Sequence, residues 1–210
     1  MWIRAAIDLL FPAQCAGCDA IGAGLCATCV PEMCHALNAD ADAGIPVRAF
    51  GAYEGALRRA ILALKDGRRD VAESLARRLA TLLEPNAALV PVPTTAARRR
   101  LRGLDGVAEI ATIAATLTGG ASHPVLLQRA GDAQRGRSRR ERLATRERFA
   151  CRSGVDIPPS VVLIDDVCTT GATLRDCRAA LENAGAHVSG AVVVAAAKSG
   201  AACLQHQNSC

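Results

Sequence analysis

Between residues 46 and 197 the chain alternates compact apolar runs with stretches whose apolar residues recur every three or four positions. The run at 47–53 predicts a strand, followed by a helix over 54–64. Val71, Leu75, Leu79, Leu82 and Leu83 keep helical spacing and predict a helix over 70–84. A short buried strand at 88–92 is ended by Pro91 and Pro93. Val107, Ile110, Ala111, Ala114 and Leu117 mark another helix, and 124–127 another strand. Residues 161–164 are apolar without alternation, as in a strand covered on both faces. Leu174, Cys177 and Leu181 form one face of a helix over 171–184 that Gly185 stops, and 188–197 is the last strand. Strands and helices taken in turn predict an α/β domain, with a mostly parallel sheet and helices on both sides.

The flanks differ. Residues 1–45 are rich in Cys and Gly and show little periodicity beyond a short amphipathic helix at 3–11, while 198–210 form a polar tail expected to fray. The pattern thus divides the chain into 1–45, 46–197 and 198–210. No stretch approaches the roughly 18 uncharged apolar residues of a membrane span. Arg4 and Asp8 interrupt the opening apolar run, which argues against a signal peptide and for a cytoplasmic protein.

Composition adds two points. Twenty-three of the 25 basic residues are Arg, leaving Lys65 and Lys198 as the lysines. Residues 129–148 carry eight Arg against Asp132, Glu141 and Glu147, so this one segment accounts for the formal charge of +5. An anionic partner belongs there. The segment, with a helix expected at 138–147, is open to three readings: a solvated surface, an anion-binding flap or a nucleic-acid contact.

Cys15-x2-Cys18 and Cys26-x2-Cys29 offer two thiolate pairs, each able to grip one side of a tetrahedral Zn2+. The region has too few apolar residues to fold alone, so a structural zinc would supply stability on the order of 10 kcal/mol. Cys34 or His35 lies close enough to replace one ligand. Four thiolates leave no open position for metal catalysis.

The segment VVLIDDVCTTGAT at 161–173 places Asp165 and Asp166 where open α/β sheets bind ligands, at the carboxyl end of a buried strand. The turn that follows leads into a helix, and Gly171 permits close backbone approach. Its N–H groups and the hydroxyls of Thr169, Thr170 and Thr173 suit a phosphate. The carboxylates suit ribose hydroxyls beside it.

That run resembles the 5-phosphoribosyl-1-pyrophosphate (PRPP) fingerprint of type I phosphoribosyltransferases. LLFPAQCAGC, YEGALRRAILALKDGR at 53–69, VPVPTTAARRRLRGLDGVAEIA at 90–111 and QRGRSRRERLATRERF at 134–149 are similar to the ComF (competence protein F) family. The resemblance implies a type I phosphoribosyltransferase sheet behind a small zinc-ribbon-like module. It implies that Asp165 and Asp166 hold the ribose hydroxyls. Val167, Cys168, Thr169, Thr170, Gly171, Ala172 and Thr173 would wrap the 5′-phosphate. Lys65 and Arg102 are implied as pyrophosphate contacts, beside a pyrophosphate-contacting loop at the strand end formed by Pro91, Val92 and Pro93, with Mg2+ accompanying PRPP. The implied activity is phosphoribosyl transfer to an acceptor the sequence does not name. The alternative is a non-catalytic nucleotide- or DNA-binding accessory of competence or regulation, associated with the competence machinery. Two places depart from the family pattern: RGLDG at 102–106 replaces the usual RGFNQ, and RLATRERF lacks the usual Asn.

Overall fold

The computed structural model describes residues 12–30, 37–39, 41–94, 105–129, 148–197 and 202–203. The helices expected at 3–11 and 138–147 lie outside them, as do Cys34, His35 and Arg102. Nine strands are described: β1 (Leu37–Asn38), β2 (Val47–Ala52), β3 (Ala88–Pro91), β4 (Ala121–Ser122), β5 (Leu126–Gln128), β6 (Phe149–Cys151), β7 (Ser160–Cys168), β8 (His187–Ala196) and β9 (Ala202–Cys203). The helices are α1 (Gly55–Lys65), α2 (Arg69–Ala80), α3 (Gly106–Thr118) and α4 (Ala172–Asn183).

The main sheet runs β4-β3-β7-β8-β2-β1-β9. Its first five strands are mutually parallel, and β1 joins β2 antiparallel. This is the α/β architecture with a mostly parallel sheet that the alternation predicted. The sheet also recruits both flanking regions. Leu37–Asn38 comes from the Cys-rich stretch, and Ala202–Cys203, expected to fray, pairs with it. Backbone donors along the open edge of β1 give the returning chain something to bond.

Side-chain alternation sends the strands' apolar residues into two cores. Ile164, Val192 and Val194 pack under α1, α2 and α3 through Leu57, Ile61, Val71, Leu75 and Ile110. Leu163, Val161 and Val193 pack on the opposite face against Leu174, Cys177 and Leu181 of α4 and Phe149 of β6. Strands β5 and β6 form a separate antiparallel pair on that side.

Two element ends differ from expectation. Leu82 and Leu83 keep helical spacing, but α2 stops at Ala80. There the N–H groups of Thr81, Leu82 and Leu83 turn back to carbonyls three residues earlier, ahead of Pro85. Strand β7, expected to end at Ile164, continues to Cys168 because β8 is long enough to pair with it, Asp165 against Val193 and Cys168 against Ala196. The acidic pair therefore lies within the strand.

Candidate functional site

A left-handed residue opens α4. Gly171 has φ 81°, where a side chain is strained, and serves as the helix N-cap. A Cβ there would come within 2.9 Å of the Ala43 nitrogen and 3.0 Å of the Asp42 carbonyl carbon. The 41–43 segment presses on the turn from outside, with the Asp42 N–H donating to the Thr170 carbonyl at 3.1 Å. Arg175 pairs with the Asp42 carboxylate, and Arg178 donates to the Gly44 carbonyl at 2.6 Å. The turn is thus clamped to α4 and its neighbour. Residues 167–173 curl around a hollow of about 30 Å³ lined in part by exposed Thr169 and Thr170, and the Thr170 hydroxyl accepts the Ala172 N–H at 3.4 Å. The first N–H groups of a helix have no intrahelical partner and favour anions at this position.

The hollow shares Asp165 and Thr173 with a larger open cavity of about 380 Å³. Lys65, the last residue of α1, enters that cavity and holds Asp166 Oδ2 at 3.0 Å. Asp165 takes a different environment. Part of the residue still meets solvent, yet burial of its carboxyl, reinforced by the Asp166 charge, pushes it up to about 8. Its Oδ1 accepts the Asp166 N–H at 2.8 Å, which only partly offsets that rise. Strand alternation puts Asp165 on the face of Leu163, toward α4, and Asp166 on the face of Ile164, toward α1 and Lys65. Two adjacent carboxylates therefore line one cavity in different surroundings.

The far wall comes in part from Val92 and Pro93, at the strand end that the family resemblance sets beside the pyrophosphate, and in part from residues that the sequence reading did not single out: Thr94 after β3, Gln128 of β5, and Arg148 and Phe149 where β6 begins. Those two strands are three residues each, too short to show a period. The Arg129 N–H donates to the Arg148 carbonyl at 3.0 Å, joining the ends of the Arg-rich segment. Residues 130–147 themselves lie outside the described residues.

The Cys-rich region forms a compact centre. The Sγ atoms of Cys15, Cys18, Cys26 and Cys29 all lie within 4.8 Å of one another. Zn–S bonds of about 2.3 Å in a tetrahedron place sulfurs about 3.8 Å apart, so the set fits a structural zinc. Backbone donors surround the sulfurs: Gly17 and Cys26 N–H point to Cys15 Sγ at 3.3 Å each, and Cys29 N–H to Cys26 Sγ at 3.4 Å. That last bond leads the effects that draw the Cys26 thiol down to about 6, whereas burial pushes the Cys29 thiol up. A Cβ at Gly17 would lie 2.8 Å from Cys29 Sγ, so Gly there leaves room for the sulfur.

No family model matches the chain. A curated relative does: it is 30% identical over 189 residues, covering 82% of each chain, to the competence protein ComFC of Streptococcus pneumoniae. The chain belongs to the ComF family. In this ComF-family chain the departure at 102–106 acquires a structural reading. Asp105 caps α3, its carboxylate accepting the Ala108 N–H at 3.3 Å, a task Asn performs equally well. Gly106 starts the helix where a Cβ would fall 2.8 Å from Leu64 Cγ, so a larger residue there would push against α1. Asp105 and Gly106 also border Lys65 and Asp166. Among the described residues no helix is long and apolar enough to cross a membrane.

Proposed function

We propose that this ComF-family chain binds PRPP at the carboxyl edge of β7 and transfers its phosphoribosyl group. The supporting observation is that the acidic pair, the 167–173 turn and Lys65 all open on one cavity. In this reading the 5′-phosphate sits on the turn, accepting from backbone N–H groups and from Thr169, Thr170 and Thr173. Asp165 and Asp166 accept from the ribose hydroxyls. The diphosphate lies toward Lys65, which swings from Asp166 to meet it, with Arg102 as a second contact. Mg2+ accompanying PRPP would supply positive charge against the diphosphate, beside Lys65. Transfer forms a bond from the acceptor to C1 of the ribose and breaks the bond from C1 to the diphosphate oxygen. Pyrophosphate leaves with that electron pair, and the acceptor's proton passes to solvent. The protein's contribution is positioning and charge stabilisation. Such a protein works in the cytoplasm, where PRPP is made.

A second reading draws on the relative's name, competence protein, and on the charge concentrated at 129–148. It makes the chain an accessory of DNA uptake that retains the fold without turnover. Incubation with [³²P]PRPP and Mg2+ across a panel of purines, pyrimidines and ammonia separates the two. Pyrophosphate release that depends on one acceptor supports transfer. No release with any, together with DNA affinity that falls steeply with salt, supports the accessory role.

A further inference from the structure

A phosphate monoester carries close to two negative charges, and the turn from 165 to 173 contains two carboxylates and no Lys or Arg. Arg175, in the first turn of α4, is engaged with Asp42 outside the turn. Lys65 rests on Asp166 on the α1 side, where the reading above gives it to the diphosphate. The remaining cation among the described residues lining the cavity is Arg148, and it shares that lining with Thr173.

Arg148 is held in place loosely. Its guanidinium lies over the Phe149 ring at 5.6 Å, and Phe149 is anchored in the core at 2% exposure. Its Nη1 stands 3.6 Å from Asp176 Oδ2, with the Arg side chain 53% exposed. An ion pair at that distance and exposure is weak and easily exchanged. Asp176 follows Thr173 by three positions on α4, so the two share a helix face. A guanidinium resting beside Asp176 is therefore about one helical turn from the Thr173 hydroxyl and the hollow.

We propose that Arg148 is a binding residue for the phosphate monoester held by 167–173, parked on Asp176 until the anion arrives. The inference rests on the PRPP reading above and adds the cation that the turn lacks. Its planar fork can offer two parallel donors to phosphate oxygens while still covering Phe149.

Calorimetric titrations in phosphate-free buffer, with ribose 5-phosphate, PRPP and inorganic pyrophosphate as separate probes, test this. Arg148→Ala should weaken ribose 5-phosphate by about 10- to 100-fold, the range of lost charge-assisted bonds, and leave pyrophosphate within about twofold. Arg148→Lys should recover part of the loss, since Lys keeps the charge without the fork. Asp176→Asn should tighten ribose 5-phosphate several-fold by releasing Arg148, a gain that a merely structural role would not produce. Equal losses for ribose 5-phosphate and pyrophosphate would reduce Arg148 to a general charge effect and overturn the assignment. Retention of wild-type affinity in Arg148→Ala would overturn it too, leaving the PRPP reading standing. If the wild-type protein binds neither ribose 5-phosphate nor PRPP, the proposed function falls and this inference with it.

Discussion

Asp165 is where sequence and environment diverge most. In an unfolded chain its carboxyl titrates near 3.9, whereas in the folded protein burial and the Asp166 charge raise it to about 8. Between those values the folded state holds a proton that the unfolded state has released. The stability Asp165 contributes is therefore fully present below about pH 4 and is lost as pH rises through about 8. Asp165→Asn removes that dependence. In ligand-free protein the variant should match wild type near pH 4.5 and exceed it near pH 8.5 by about 1–3 kcal/mol, a few degrees in Tm. Parallel Tm curves across that range would show that the carboxyl is not perturbed. The same substitution should weaken PRPP, so stability and binding pull in opposite directions at this residue. Such residues were legible because thirteen of them stand in one uninterrupted run, 161–173. Thr94, Gln128, Arg148 and Phe149 were not, because they reach the cavity from separate places in the chain. Arg148 is one of eight Arg in its segment, and only its contact with Phe149 and Asp176 distinguishes it.

Helix α1 links two regions that the sequence presents as separate. Cys15, Leu25 and Cys29 share a core with Leu57, Ala60 and Ile61 of α1, and Arg59 Nε donates to the Gly17 carbonyl at 2.9 Å. Gly24 lies directly against the backbone of Asp70 on α2, where a Cβ would meet the carbonyl oxygen at 2.6 Å. The same α1 ends at Lys65 in the cavity. An independent module at 1–45 would confine the effect of metal loss to itself. The shared core argues that it spreads. Removing zinc with a strong chelator should release backbone hydrogen-exchange protection in 12–30 and also in 55–65, and should weaken PRPP several-fold. Protection lost only in 12–30, with PRPP affinity unchanged, would restore the view of an independent module. At this scale the four helices were legible from the three-to-four spacing of their apolar faces. The ends were less so, because pairing partners set them: β8 carries β7 past Ile164, and the turn before Pro85 cuts α2 short. Strands of two or three residues, such as β4 and β6, exist because neighbours hold them and leave no pattern of their own.

At the scale of the molecule, the parallel sheet orders the chemistry. Its carboxyl edge carries the acidic pair, the glycine turn and Lys65, with α1, α2 and α3 on one face and α4 with the β5–β6 pair on the other. In the sequence, the residues that carry the net charge fall between β5 and β6, and Arg148 at their end lines the cavity. In the proposed reading Lys65 and Arg148 meet the phosphates of an anionic ligand, and the carboxylates take its hydroxyls. This division suits a phosphorylated sugar better than a bare polyanion, for which Asp165 and Asp166 would be repulsive. The most direct test is calorimetric titration of Mg2+-PRPP into zinc-loaded wild-type protein and into the double variant Asp165→Asn, Asp166→Asn. The account predicts one PRPP bound per wild-type chain and a loss of about 100-fold or more in the variant, with an unfolding transition as cooperative as wild type. Equal affinity in the two proteins, or no heat of binding with wild type, would contradict it.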